Sequence, residues 1–115
     1  NNFLFYADNN TVYRYNMLSG DNVTIYKAPS GYEITMIKFR SEDSHIYSGD
    51  LGLYMSIALY DGTNGAITEI KLNTAGDVDK NFVQLLYDKD DDGKKWGKIK
   101  DMQFARDYIY DRGDF

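Results

Sequence analysis

The chain has 115 residues, enough for one domain, and a net charge of −5 from 13 Lys plus Arg against 18 Asp plus Glu. That balance argues against binding a phosphate backbone, which needs clustered cations, and no apolar run approaches the roughly 20 residues of a membrane-spanning helix. With no Cys there is no disulfide, thiolate nucleophile, zinc–thiolate site or iron–sulfur cluster, and a single histidine, His45, leaves little for imidazole catalysis.

Eleven Tyr and six Phe favour pleated, half-buried surfaces, while Asp, Asn and ten Gly favour the turns between them, so the expected class is all-β. Residues 3–8 form an apolar run that ends in the turn signal Asp8-Asn9-Asn10. Residues 11–17 alternate, with Tyr13, Tyr15 and Met17 on one face and Val12, Arg14 and Asn16 on the other, the period of a strand. Ser19-Gly20-Asp21-Asn22 makes a turn into a third strand at 23–26. Pro29 and Gly31 break the chain at 28–32, and 34–40 is a fourth strand with Ile34, Ile37 and Phe39 apolar.

The order then returns. Residues 56–61 match 3–8, both ending in Asp, and residues 67–72 match 12–17, which sets Ile70 on Tyr15 and Leu72 on Met17. Gly76-Asp77 stands where Gly20-Asp21 stood, 82–87 replaces 23–26, and Ile99, Met102 and Phe104 fall on Ile34, Ile37 and Phe39. A repeat of about 50–65 residues carrying four strands is the pattern of propeller blades, whose faces are covered by neighbouring blades. The offset between copies grows along the chain, because surface loops accept insertions that strands do not, and most of the added length lies in 88–97.

The expected architecture is therefore antiparallel, with two four-stranded blade-like meanders, a single all-β unit over 1–115 and repeat copies at about 3–40 and 56–105. A small β-sandwich is the alternative. In chain order the strands count three, then four, then one. This is about two blades against the four to eight that usually close a propeller, so the expectation is a fragment of a longer protein. Core positions are expected at Leu4, Tyr6, Tyr13, Tyr15, Ile25, Ile37 and Phe39, and at Ile57, Leu59, Ile70, Leu72, Leu85, Met102 and Phe104.

The run FLFYADNNTVYRYNM (3–17), with GYEITMIKF (31–39) and its echo WGKIKDMQF (96–104), resembles the propeller-like C-terminal portion of PKD-like surface lipoproteins of Bacteroidetes. The similarity spans nearly the whole chain and its motifs are structural. It implies an extracytoplasmic, surface-located parent, anchored to the membrane by lipid and concerned with glycan capture or cell adhesion. No lipobox cysteine stands in this sequence, so the resemblance is expected to concern a fragment of such a protein. The resemblance matches no catalytic residue.

Few residue groups have the makings of a site. Asp88, Asp90 and Asp92 before Gly93 fit the opening of a calcium loop, where hard oxygens at alternate positions converge on one ion. Ile99 stands where an EF-hand needs a bidentate Glu, and Lys94, Lys95, Lys98 and Lys100 repel a cation. Calcium is the one cofactor such a segment could take; a solvated connection is the plainer reading. Trp96, beside a Gly in the longest inserted loop, is the best candidate for an exposed aromatic contact with a ligand. The strand tyrosines could stack on sugars but more often pack between sheets. Ser41 to His45 gathers serine, acid and histidine only in sequence, Glu33 and Glu69 make a carboxylate pair only by tertiary accident, and Arg112-Gly113-Asp114 is a short chance-prone match to an adhesion tripeptide. The function expected is non-enzymatic: a binding or scaffold module with a glycan or protein ligand. A fragment of a propeller hydrolase or lyase with its catalytic residues elsewhere is one alternative. A unit that self-associates through open blade edges is another.

Overall fold

The computed structural model describes residues 2–41 and 53–101. Six strands are present, β1 (Phe3–Asp8), β2 (Thr11–Asn16), β3 (Asn22–Lys27), β4 (Glu33–Ser41), β5 (Leu53–Tyr60) and β6 (Gly65–Leu72), and there is no helix among the described residues. They form two antiparallel sheets, ordered β1-β2-β3 and β4-β5-β6, neither closed into a barrel. The class is all-β.

Asp and Asn are frequent because they shape the turns they sit in. The side-chain oxygen of Asn16 accepts the amides of Leu18 and Ser19, that of Asp61 the amides of Thr63 and Asn64, and that of Asn73 the amides of Ala75 and Asp77. Each is a local side-chain substitute for a backbone turn bond. The β1–β2 hairpin closes on Asn9 at φ 56°, a left-handed conformation that Asn tolerates.

The four-stranded expectation is corrected to three strands per sheet. Residues 82–87 do not form a strand. The chain bridges β6 at Leu72–Val78 and again at Ile67–Tyr87, but between these points it bows outward around a turn in which the Phe82 amide bonds the Asp79 carbonyl. An apolar run gives a strand only where a neighbouring backbone meets it in register. Leu85, expected in the core, is exposed for this reason. Matched pairings nonetheless recur: Val12 lies opposite Tyr26 on β3, and Ile67 lies opposite Tyr87.

The core lies between the sheets. The register of β5 against β6 sets Met55 beside Ile70, Ile57 beside Thr68 and Leu59 beside Ala66, all on one face. That face meets Phe5, Ala7 and Val12 of the first sheet, with Phe5 edge-on to Phe39 at 5.0 Å. Ile57, Leu59, Ile70 and Leu72 are fully buried as expected, and Ile25 and Ile37 pack against them. Burial pushes the phenol of neighbouring Tyr26 above its ordinary pKa.

Leu4, Tyr6, Tyr13 and Tyr15 correct the core list. They occupy the other face of the first sheet, where Leu4 is 51% exposed and Tyr6 stacks on Tyr13 with ring centres 5.1 Å apart. Alternation separates the two faces of a strand but does not say which is covered. Val12, on the face opposite the tyrosines, is the fully buried residue of β2. Phe39 is packed on Phe5 yet 38% exposed, and Met102 and Phe104 lie outside the described residues.

One polar clasp joins the sheets. Arg14 Nη1 donates to the Gly76 carbonyl at 2.6 Å and to Asp77 Oδ1 at 2.7 Å, with the guanidinium 4.8 Å from the centre of the Phe3 ring. Gly76 holds φ +83°, and a Cβ there would meet Phe3 and Arg14 at 2.8 to 3.2 Å, so glycine is required.

Candidate ligand-contact loop at the end of the second sheet

After Tyr87 the chain makes a short hairpin in which Lys89 and Lys95 face each other across an antiparallel bridge. Its tip is fixed by Asp90, whose Oδ1 accepts the amides of Asp92 and Lys94, each at 2.9 Å. Its base is fixed by Trp96, whose amide bonds the Asp88 carbonyl at 3.2 Å. The Trp96 carbonyl accepts the Gly65 amide at 3.1 Å and the Asn64 side-chain amide at 3.0 Å, which docks the hairpin on the β5–β6 turn. Past the hairpin, Lys98 reaches over the Tyr60 ring at 5.3 Å, and Asp101 lies 3.7 Å from Lys38 of β4.

Close approach is possible because residue 65 is glycine. A Cβ at that position would collide with the Gly97 carbonyl and crowd Ile99 at 3.2 Å. A glycine opening a strand signals such an approach, and it is the sequence feature that could have located this junction. Asp61, Asn64 and Gly65, which sequence reasoning did not assign to a site, complete it, together with Lys98, read there only as repelling a cation. Backbone amides of Asn64 and then Thr63 hold the Asp61 carboxyl below the usual carboxylate range, and the charge of Lys95 adds to this.

Trp96 is half-buried rather than exposed, because its backbone anchors the hairpin to the sheet. Asp88, Asp90 and Asp92 do not converge. Asp90 is committed to its own turn, Asp88 lies 3.7 Å from Lys89 Nζ, and no group of three or more metal-binding side chains occurs among the described residues. Glu33 pairs with Tyr60 and Glu69 with Ser56 in the register of β5. Four positions along that strand and one strand spacing to either side of it set their backbones roughly 16 Å apart. Glu69 instead accepts a hydrogen bond from Ser56 Oγ at 3.2 Å. His45 and Arg112-Gly113-Asp114 lie outside the described residues.

The arrangement offers an indole, a tyrosine ring under an ammonium group, and two carboxylates occupied by backbone amides. Such a surface can stack and hydrogen-bond with a ligand; nothing in it pairs a nucleophile with a base. No family model, curated protein or solved structure matches the chain.

Proposed function

We propose that this chain is a non-enzymatic binding module, built of stacked blade-like sheets, that presents the 88–96 hairpin to a glycan. In line with the resemblance to PKD-like surface lipoproteins, its setting is the outer surface of a bacterial cell, in a parent protein held to the membrane by lipid. The observation carrying this reading is the bracing of the hairpin. Its tip is tied by Asp90 and its base by the Trp96 carbonyl, so an aromatic side chain is held on a loop that loses little freedom when it meets a ligand. Trp and Tyr in such positions supply much of the energy at binding surfaces.

A glycan array probed with the purified chain, followed by calorimetric titration of any hit, tests this. Trp96→Ala is expected to weaken binding by roughly tenfold or more, the scale of a lost aromatic anchor. A hit bound equally well by that variant, or an array with no hit, counts against the hairpin as a glycan contact.

A further inference from the structure

The first sheet carries a face and an edge that the second sheet has covered. If the two copies are one unit written twice, Leu4, Tyr6, Tyr15 and Met17 stand at the positions of Ile57, Leu59, Ile70 and Leu72. The second set is buried to within 1% of completely, by the first sheet. In the first set Leu4 and Met17 are more than half exposed and Tyr6 is 37% exposed. Three of the four positions that form the core of one unit thus lie open in the other, and the fourth, Tyr15, is partly buried. The edge follows the same rule. β5 is flanked by β4, while β1, its counterpart, pairs among the described residues with β2 alone.

The opposite end of the molecule carries the matching parts. Just as β4 sets out from the β1–β2 turn, where the Ile34 amide bonds the Asn9 carbonyl, the chain after Trp96 sets out from the β5–β6 turn. Residues 98–101 then lie beside the second sheet, with Ile99 against Gly65 and Asp101 near Lys38. This stretch belongs to the sequence echo of β4 and lies outside the six strands.

We infer that the first sheet of one copy of this chain receives residues 98–101 and the second sheet of another copy, head to tail. Residues 98–101 add to the β1 edge, a main-chain pairing of the strand-addition kind. The Leu4, Tyr6, Tyr15 and Met17 face closes over the exposed Leu86 and Tyr87, which stand where Ile25 and Tyr26 of the first sheet pack on the core. Carrying the β4–β5 register across sets Ile99 opposite Tyr6 and Asp101 opposite Phe5, as Ile34 is opposite Leu59 and Met36 opposite Ala58. Such a heterologous contact repeats from copy to copy, giving a ring or an open series. The inference rests on the repeat and not on what the hairpin binds.

Sedimentation velocity of the 115-residue chain over a hundredfold concentration range tests it. The expected result is a weight-average mass at least doubling with concentration. Leu4→Arg and, separately, Met17→Arg, each at a residue more than half exposed, return it to the monomer with the far-ultraviolet sheet signal intact. Trp96→Ala leaves the association unchanged, which separates this surface from the glycan-contact reading. Because the native chain lacks cysteine, introduced ones report geometry cleanly. Oxidised Tyr6→Cys/Ile99→Cys is expected to give a ladder of intermolecular disulfides that neither single variant gives. A monomer throughout the range overturns the inference, as does association indifferent to both arginine variants. Tyr6→Cys alone crosslinking as well as the pair overturns it too, since that reports tyrosine faces meeting each other.

Discussion

Every side chain of β5 from Met55 to Leu59 is buried, whereas on β1 Phe5 and Ala7 pack inward while Leu4 and Tyr6 face solvent. The two strands hold the same place in their sheets' succession, and both are apolar. What separates them is company: β5 has a sheet on one side and the returning chain on the other, while β1 has a sheet on one side only. A strand's composition thus states how it can be used, and its neighbours decide how much of that use is realised.

The sharpest way to break this comparison is to truncate both counterparts. Ile57→Ala is expected to cost about 2–5 kcal/mol in urea unfolding of the dilute chain, since it leaves a cavity between two sheets. Leu4→Ala, at the equivalent position, is expected to cost under about 1 kcal/mol, the range of a surface change. Equal losses at the two sites would mean that the first sheet's outer face is already covered.

A smaller effect is expected where the second sheet acquires its outer cover. Gly65→Ala forces the 96–101 stretch away from the β5–β6 turn, at about 1–3 kcal/mol for overpacking. Trp96 is the sole tryptophan, so its emission should shift to longer wavelength as the hairpin lifts. An unshifted spectrum with unchanged stability would show that the hairpin does not depend on this contact.

The smallest effect concerns the turn on which that hairpin docks. The Asp61 carboxyl is held below its ordinary pKa in the folded chain, so the folded state binds fewer protons than the unfolded one in the carboxylate range. Its contribution is present above the unfolded pKa and disappears as pH falls through the folded one. Asp61→Asn should therefore lower the neutral plateau slightly, leave the acid end nearly unchanged, and so flatten the acid limb of the stability–pH curve. A wild-type advantage over the variant that shrinks as pH rises through the carboxylate range would contradict this sign.

Much of the fold was legible in the sequence. The alternation of 11–17 located β2, and the Asp and Asn turns marked its ends because those side chains close turns on their own backbone. The buried side of the second sheet was legible as well, through Ile57, Leu59, Ile70 and Leu72. Three things were not. Periodicity could not tell that Val12 lies inside and Tyr13 outside, since that depends on which face meets the other sheet. The start of β5 at Leu53 was hidden by anchoring the repeat on Ser56. The 82–87 run looked like a strand because its residues suit one, but a strand also needs a partner of matching length. Of the candidate site, Trp96 was legible as a loop aromatic. Its half-buried state followed from Gly65, thirty-one positions earlier in the chain, where only a close approach explains the glycine.

The Arg14 clasp carries a consequence for how the molecule is made. Its partners, Gly76 and Asp77, lie more than sixty residues downstream. A chain emerging from the ribosome amino end first can complete the β1–β2–β3 meander long before either partner exists. During that interval Phe3, Phe5, Ala7 and Val12 have no lid, and the nascent sheet is at its most adhesive. Delivery of Gly76 ends that period, so translation speed through the intervening stretch sets how long the growing chain stays exposed to wrong contacts.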